Sequence, residues 1–144
     1  MKVLIVEDNE PTAKMFKGLL EEANDVDIAH DLFEGKRKIL TTVPRYDAVV
    51  LDLNLPNGEG WEVLAEIANF GIATVVVTGL NDQELIDRAM KLPVVWDYLV
   101  KGEMSAELLR ASVKYATNRN ETEKKLAETR RISDKAKNCG ASHG

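Results

Sequence analysis

Cysteine is almost absent from this 144-residue chain, which carries one, Cys139, near its C-terminal end. A lone thiol forms no internal bridge, so a disulfide framework is excluded and a reducing compartment is expected. Long apolar runs are missing too. The first, Val3 to Val6, gives way at once to Glu7-Asp8-Asn9-Glu10, whereas a secretory leader needs about 7–15 apolar residues and a membrane span about 20. The chain is therefore read as cytoplasmic, with no membrane association. Nor is there an excess of positive charge. Nineteen Lys+Arg against 24 Asp+Glu leave −5, the wrong sign for a face that tracks nucleic-acid backbone, so direct nucleic-acid binding is disfavoured. No internal repeat is found. At roughly 150 residues per domain the length allows one domain. A chain of this size buries roughly 68–70% of its extended surface, so neither disulfides nor a structural metal are needed for stability.

Four short apolar runs recur at long intervals: Val3–Val6, Ala48–Leu51, Ala73–Val77 and Tyr98–Val100. They are continuous rather than alternating, as expected of strands buried on both faces of a parallel sheet. A weaker alternating segment, Val26–Ala29, predicts a fifth strand at an edge. Helix-period segments separate them. Pro11 suits the first turn of a helix with Phe16, Leu19, Leu20 and Ala23 on one side. Asp31 with Glu34 forms a capping box opening Leu32–Leu40, and Asn81 with Glu84 repeats it before Leu85, Ile86 and Met90. Trp61–Asn69 places Val63, Leu64 and Ile67 on one face. Ser105 caps the last helix, with Met104 and Leu109 as its hydrophobic staple. Met15, Phe16 and Phe33 lie at helical spacings that predict core positions, and His30 reads as an exposed loop residue. Strict β-α alternation implies a doubly wound (βα)5 sandwich: a five-stranded parallel sheet, helices on both faces and an extended C-terminal helix.

Composition shifts near residue 117. Residues 1–116 carry −8, and residues 117–144 carry +3 with little apolar content. The first segment is the expected domain; the second is read as a charged helical extension with a frayed end. Tyr115, Leu126, Thr129, Ser133 and Ala136 roughly fit heptad positions, but so polar a seam makes a weak coiled coil. The pairs Lys124-Lys125 and Arg130-Arg131 are most simply a solvated face.

In open parallel sheets, ligands bind beyond the carboxyl ends of the strands. Those ends deliver Glu7 and Asp8, then Asp52, then Thr78, then Lys101. Three carboxylates this close repel one another unless a cation lies among them. All-oxygen ligands without nearby His or Cys suit Mg²⁺. Thr78 and Lys101 are donors for anionic oxygens, the equipment of phosphoryl transfer. Asp52, after the central strand, is the candidate nucleophile. As ordinary solvated residues, three specified acids would match by chance at about one in two hundred in a chain one-sixth acidic.

The motifs Val-Leu-Ile-Val-Glu-Asp-Asn at 3–9, Asp-Ala-Val-Val-Leu-Asp-Leu-Asn-Leu-Pro-Asn-Gly at 47–58, Val-Val-Val-Thr-Gly at 75–79 and Asp-Tyr-Leu-Val-Lys at 97–101 resemble those of response-regulator receiver domains, flavodoxin-like switches of two-component signalling. The resemblance covers residues 2 to about 116. It implies Asp52 as phosphoacceptor, with Mg²⁺ held by Glu7, Asp8, Asp52 and the backbone carbonyl of Asn54. It further implies that Lys101 pairs with the phosphoryl group, while Thr78 bonds it and lets Tyr98 swing inward. The donor would be a sensor histidine kinase or a histidine phosphotransfer protein, and the output a partner or a homodimer on the helix 4, strand 5, helix 5 face.

Three departures stand out. Gly102 follows Lys101 where the family commonly has Pro. Pro93-Val94-Val95-Trp96 replaces a small pair before the last strand, bringing bulky apolar groups to the output face, with Trp96 either core filling or an exposed anchor. Leu80, two residues after Thr78, cannot orient an attacking water, which predicts a long-lived phosphorylated state. Other readings are a Mg²⁺-dependent aspartyl phosphohydrolase, disfavoured because Asn54 stands where a second Asp would act as acid, and a flavin protein, whose phosphate the acids at 7, 8 and 10 would repel. A phosphorylation-independent interaction domain is disfavoured by the intact set of five residues.

Overall fold

The computed structural model describes residues 1–54, 61–79, 83–118, 125–126 and 128–130. Strands β1 (Lys2–Val6), β2 (Asp25–Ala29), β3 (Ala48–Asp52), β4 (Ala73–Thr78) and β5 (Val95–Val100) alternate with helices α1 (Glu10–Leu20), α2 (Leu32–Thr41), α3 (Trp61–Phe70) and α4 (Gln83–Met90). A last helix covers residues 106–118. All ladders are parallel and the order is β2-β1-β3-β4-β5, which puts β3 in the centre and β2 at an edge. This is the doubly wound parallel sheet that the alternation implies, in the flavodoxin-like strand order.

Side-chain alternation decides which helix covers which face. Val3, Ile5, Val50 and Val75 point to α1 and the last helix, meeting Phe16 and Leu109. Leu4, Val6, Leu51 and Val76 point to the opposite side, where α2, α3 and α4 supply Ile39, Leu64 and Ala89. Strands covered on both faces have no place for an alternating polar residue, so they read as unbroken apolar runs.

The helix starts follow the capping signals. Asn9 accepts from Thr12 N at the head of α1, with Pro11 in its first turn. Asp31 accepts from Glu34 N, while Glu34 reaches back to His30 N rather than to the cap residue itself; His30 is exposed. Leu108 N donates to Ser105 Oγ at 3.1 Å, and Met104 packs on the cluster containing Leu109. Asn81 lies outside the described residues. In α2, a Cβ at Gly35 would stand 3.3 Å from Val6 Cγ1, so glycine lets this helix press onto β1.

Three expectations are corrected. Phe16 is buried, but Met15 is 53% and Phe33 79% exposed. The buried faces are set by Ala13, Phe16 and Leu20 in α1 and by Leu32, Gly35 and Ile39 in α2; a residue one position out of phase is rotated about 100° away. Ala23 falls beyond the end of α1 and is exposed. The last strand begins at Val95 rather than Tyr98. Asp97 interrupts the apolar run in the sequence, yet its carboxylate accepts from Ser112 Oγ at 2.7 Å, which makes it tolerable inside the ladder. The β4–β5 register skips Trp96, passing from Thr74↔Val95 to Val75↔Asp97. Val94 and Val95 are buried, and Trp96 packs against the core with Tyr115 edge-on at 6.4 Å. The bulk expected on the output face therefore turns largely inward.

The last helix crosses residue 117 without a break, and Thr117 is buried. Leu126 is exposed, as is Thr129; Ser133, Ala136, Cys139 and His143 lie outside the described residues. No helix among the described residues is long and apolar enough to cross a membrane.

At the other end of the sheet, Tyr46 is buried and donates its hydroxyl to Asp27 Oδ2 at 2.7 Å, joining the segment before β3 to β2. Burial, with the Asp27 carboxylate, pushes the Tyr46 phenol up from 10.0 to about 12. A raised folded value means that its contribution to stability is complete below pH 10.0 and is lost as pH rises toward about 12. An absorbance titration of phenolate is expected to show one of the three tyrosines ionising well after the others, and Tyr46→Phe to remove that step and about 1–2 kcal/mol of stability at neutral pH. A Tyr46→Phe titration that keeps the late step would assign it to another tyrosine.

Candidate functional site

Backbone bonds carry the ladders one residue past the strand ends, which fixes Glu7 and Lys101 beside the last strand residues Asp52 and Thr78. Glu7 N donates to Ala29 O at 2.9 Å, Leu53 N to Val77 O at 3.1 Å and Lys101 N to Thr78 O at 2.9 Å. Glu7 is thereby tied to β2, the end of β3 to β4, and Lys101 to the end of β4. Their side chains converge. Lys101 Nζ donates to Asp52 Oδ2 at 3.0 Å and forms a second short contact with Glu7 Oε1. Residues 94 and 49 positions distant in sequence thus share one ammonium.

Glu7 and Asp52 are buried, whereas Asp8 is exposed at the rim. Burial pushes the Glu7 carboxyl up from 4.5 to about 8, with Asp52 beside it adding to the rise and Lys101 opposing it. Burial pulls the Lys101 ammonium down, but its bonds to Glu7 and Asp52 outweigh that and hold it above its ordinary range. One ammonium faces two carboxyls, so the buried cluster lacks a positive charge whenever both are ionised.

Glu7, Asp8 and Asp52 each offer a carboxylate oxygen within 4.8 Å of the others'. Glu7 Oε2 is buried with no hydrogen-bond partner, and an orphaned buried carboxylate oxygen is costly. Hard oxygen donors with one atom unsatisfied fit a Mg²⁺ ion, which keeps several waters and takes few protein ligands. The chain's own residues supply that fit.

Asn54 does two things the sequence did not announce. Its backbone N donates to Asp52 Oδ1 at 2.9 Å, and its side-chain Nδ2 donates to Thr78 Oγ1 at 3.1 Å. The sequence reading gave Asn54 a carbonyl for the metal and a part in hydrolysis but not this bond to Thr78; an amide side chain two residues after the nucleophile was the available signal. The direct Glu7–Lys101 contact was also missed, because the sequence reading gave Lys101 only to a phosphoryl group. The sequence signal for it was the need of three acids for a cation. Thr78 is buried on β4, and Tyr98 stands 38% exposed on β5, lining a groove of about 320 Å³ with Asp97, Met104 and Leu108. The loop from Leu55 to Gly60 and Leu80 lie outside the described residues.

Comparison with known proteins identifies the family and the fold. The family model "Response regulator receiver domain" matches residues 3–114. Transcriptional regulatory protein CusR of Escherichia coli (strain K12) is 37% identical over 112 residues, covering 76% of this chain and 48% of CusR. The chain spans about half the length of the curated relatives it matches. Among solved structures, a two-component response regulator from Clostridium difficile superposes with TM-score 0.74 at 30% identity, over 83% of this chain and 97% of that one. A CheY-like receiver domain from Methanospirillum hungatei JF-1 gives 0.76 at 26%, over 85% and 97%.

Removing the shared ammonium leaves two buried carboxyls facing each other. Lys101→Met is expected to lower stability by about 2–4 kcal/mol in urea denaturation without divalent cations, and Glu7→Gln in that background to restore part of the loss. Equal stabilities of wild type and Lys101→Met would show that the ammonium is not what holds the acids together.

Proposed function

Because this chain belongs to the response regulator receiver domain family, we propose that Asp52 is its phosphoacceptor and that phosphorylation switches the surface around Tyr98. The observation that carries this is the placement of Lys101 on both Asp52 and the buried Glu7. A carboxylate oxygen of Asp52 forms the new O–P bond as the N–P bond of a phosphohistidine breaks, the imidazole keeping the electron pair and taking a proton. The donor in this reading is a sensor histidine kinase or a histidine phosphotransfer protein.

The chain's own residues prepare each part of that step. Asn54 N–H and Lys101 orient the two oxygens of Asp52. Lys101 keeps its bond to Glu7 when the Asp52 carboxylate becomes an acyl phosphate, and its ammonium then meets phosphoryl oxygens instead. Thr78 Oγ1 accepts from Asn54, an arrangement compatible with donating its own proton to the phosphoryl group. Glu7, Asp8, Asp52 and the Asn54 carbonyl would hold Mg²⁺, whose charge offsets that of the phosphoryl oxygens. The phosphoryl group adds about −1.5 to −2 charge and three acceptors, and the contacts that Thr78 and Lys101 make only then are what shift the population. A shift from 1:99 to 99:1 takes about 5.5 kcal/mol, within the scale of a few charge-assisted bonds. Tyr98, exposed before that shift, is the residue proposed to move inward.

Chemistry is confined to the chain's own phosphorylation and slow hydrolysis. Asn54 is a neutral amide engaged with Thr78, so it cannot serve as the general acid that a phosphoester hydrolase needs. With Leu80 two residues after Thr78, no polar side chain at that position orients water, and the acyl phosphate is long-lived.

Two outcomes are expected. Incubation with acetyl phosphate and Mg²⁺ labels the wild type at one site and leaves Asp52→Asn unlabelled; equal labelling of the two ends this reading. In a phosphate-release assay the wild type decays slowly and Leu80→Asn several-fold faster; fast decay of the wild type would remove the role given to Leu80.

A further inference from the structure

The two most exposed large hydrophobic residues among those described are Val43, at 87%, and Phe33, at 79%. Leu40, at 56%, lies between them in sequence. Phe33, Arg37 and Leu40 follow one another at spacings of four and three on α2, which puts them on a single stripe roughly 10 Å long. That stripe points away from the buried face made by Leu32, Gly35 and Ile39. Monomeric domains seldom concentrate exposed apolar side chains with basic neighbours unless something covers them.

The charge of this segment departs from that of the domain around it. Residues 30–45 hold Lys36, Arg37, Lys38 and Arg45 against Asp31 and Glu34, a net +2 within a 1–116 segment of −8. Both acids are already engaged: Asp31 caps α2, while Glu34 pairs with Lys38 at 3.4 Å and accepts from His30 N. Arg45 is laid over the Phe70 ring at 4.1 Å. The stripe therefore sets the exposed Phe33 and Leu40 on either side of the exposed Arg37, in a segment of net positive charge.

We propose that the outward stripe of α2, with Val43 beyond its end, docks an acidic amphipathic helix of a partner protein. Such a helix presents apolar anchors at i, i+3, i+4 and i+7 that meet Phe33, Leu40 and Val43, while flanking Glu and Asp face Arg37. Other occupants fit worse. A second copy would bring up a stripe of the same positive sign rather than a complementary one. The segment 117–144 is itself +3 and shares the stripe's sign. An anionic bilayer would be repelled by the strongly acidic remainder of the domain. The stripe is remote in sequence from Glu7, Asp52 and Lys101, and its use does not depend on their phosphorylation chemistry.

The test uses the full chain and two fluorescein-labelled peptides of about 18 residues, long enough to hold a helix. Both carry Leu at i, i+3, i+4 and i+7; one has Glu at its polar positions and the other Lys. Anisotropy titration is expected to show saturable binding of the Glu peptide and at least tenfold weaker binding of the Lys peptide. The pair Phe33→Ser with Leu40→Ser, and separately Arg37→Glu, are each expected to weaken the Glu peptide at least tenfold, with thermal melts like the wild type. Met15→Ser, on an exposed side chain of α1, keeps wild-type affinity. The proposal is overturned if the Glu peptide does not bind, if both peptides bind alike, or if the stripe variants bind as the wild type does. It is also overturned if the stripe variants instead abolish sedimentation with phosphatidylglycerol vesicles, or dissolve a wild-type dimer.

Discussion

One ammonium group shared by two buried carboxyls is the constraint around which the sheet's working edge is organised. Glu7 and Asp52 are both buried, and two carboxyls taken out of water at close range are tolerated with positive charge between them or with one of them protonated. Neighbouring strands lie about 4.8 Å apart, so the acids on β1 and β3 and a base arriving after β5 meet only through a long side chain. The bond from Lys101 N to Thr78 O fixes the lysine backbone beside the end of β4. From there its side chain reaches Asp52 and Glu7. The parallel order β2-β1-β3-β4-β5 is thus also the order in which the charges must be arranged, with the acids on β1 and β3 and the base arriving from the far side.

That dependence explains how much could be read without coordinates. Because the strands are covered on both faces, their apolar runs were visible, and the residue after each run could be assigned to one edge. Glu7, Asp8, Asp52, Thr78 and Lys101 were found in this way. Pairings across the edge were less legible, since the spacing of residues says which of them meet but not which atoms bond. The contact of Lys101 with Glu7 and the amide bond from Asn54 to Thr78 belong to that class. Where a single polar residue breaks a run and finds a partner elsewhere, the strand start was misplaced, as at Asp97 with its bond to Ser112. Met15 and Phe33 failed for a third reason. Apolar character places a residue on a helix, but phase relative to Phe16 or Leu32 decides whether it faces the core.

The same architecture links the site to the rest of the fold through β4 and β5. Thr78 ends one strand and pairs in register with Val100 on the other, two residues beyond Tyr98. Asp97, next to Tyr98, is tied to Ser112 on the last helix, while Trp96 rests against Tyr115 on that helix. A displacement of Thr78 therefore acts on a strand already fastened to the helix behind it. Packed interfaces of this kind have discrete arrangements rather than continuous ones, which suits the inward movement proposed for Tyr98 better than a gradual drift would.

Net charge conceals this organisation. The −8 of residues 1–116 is a sum over surfaces with different tasks. Three acids at the working edge stand within reach of a shared cation, and their charge is local to that site. On α2 the acids are absorbed by capping and by Lys38, so the helix turns a positive and apolar face outward. Salt screens charges separated by more than about 8–10 Å, so each of these surfaces acts on its surroundings with its own sign rather than with the sum. A domain that is acidic in total can for that reason attract cations at one edge and acidic side chains on a helix.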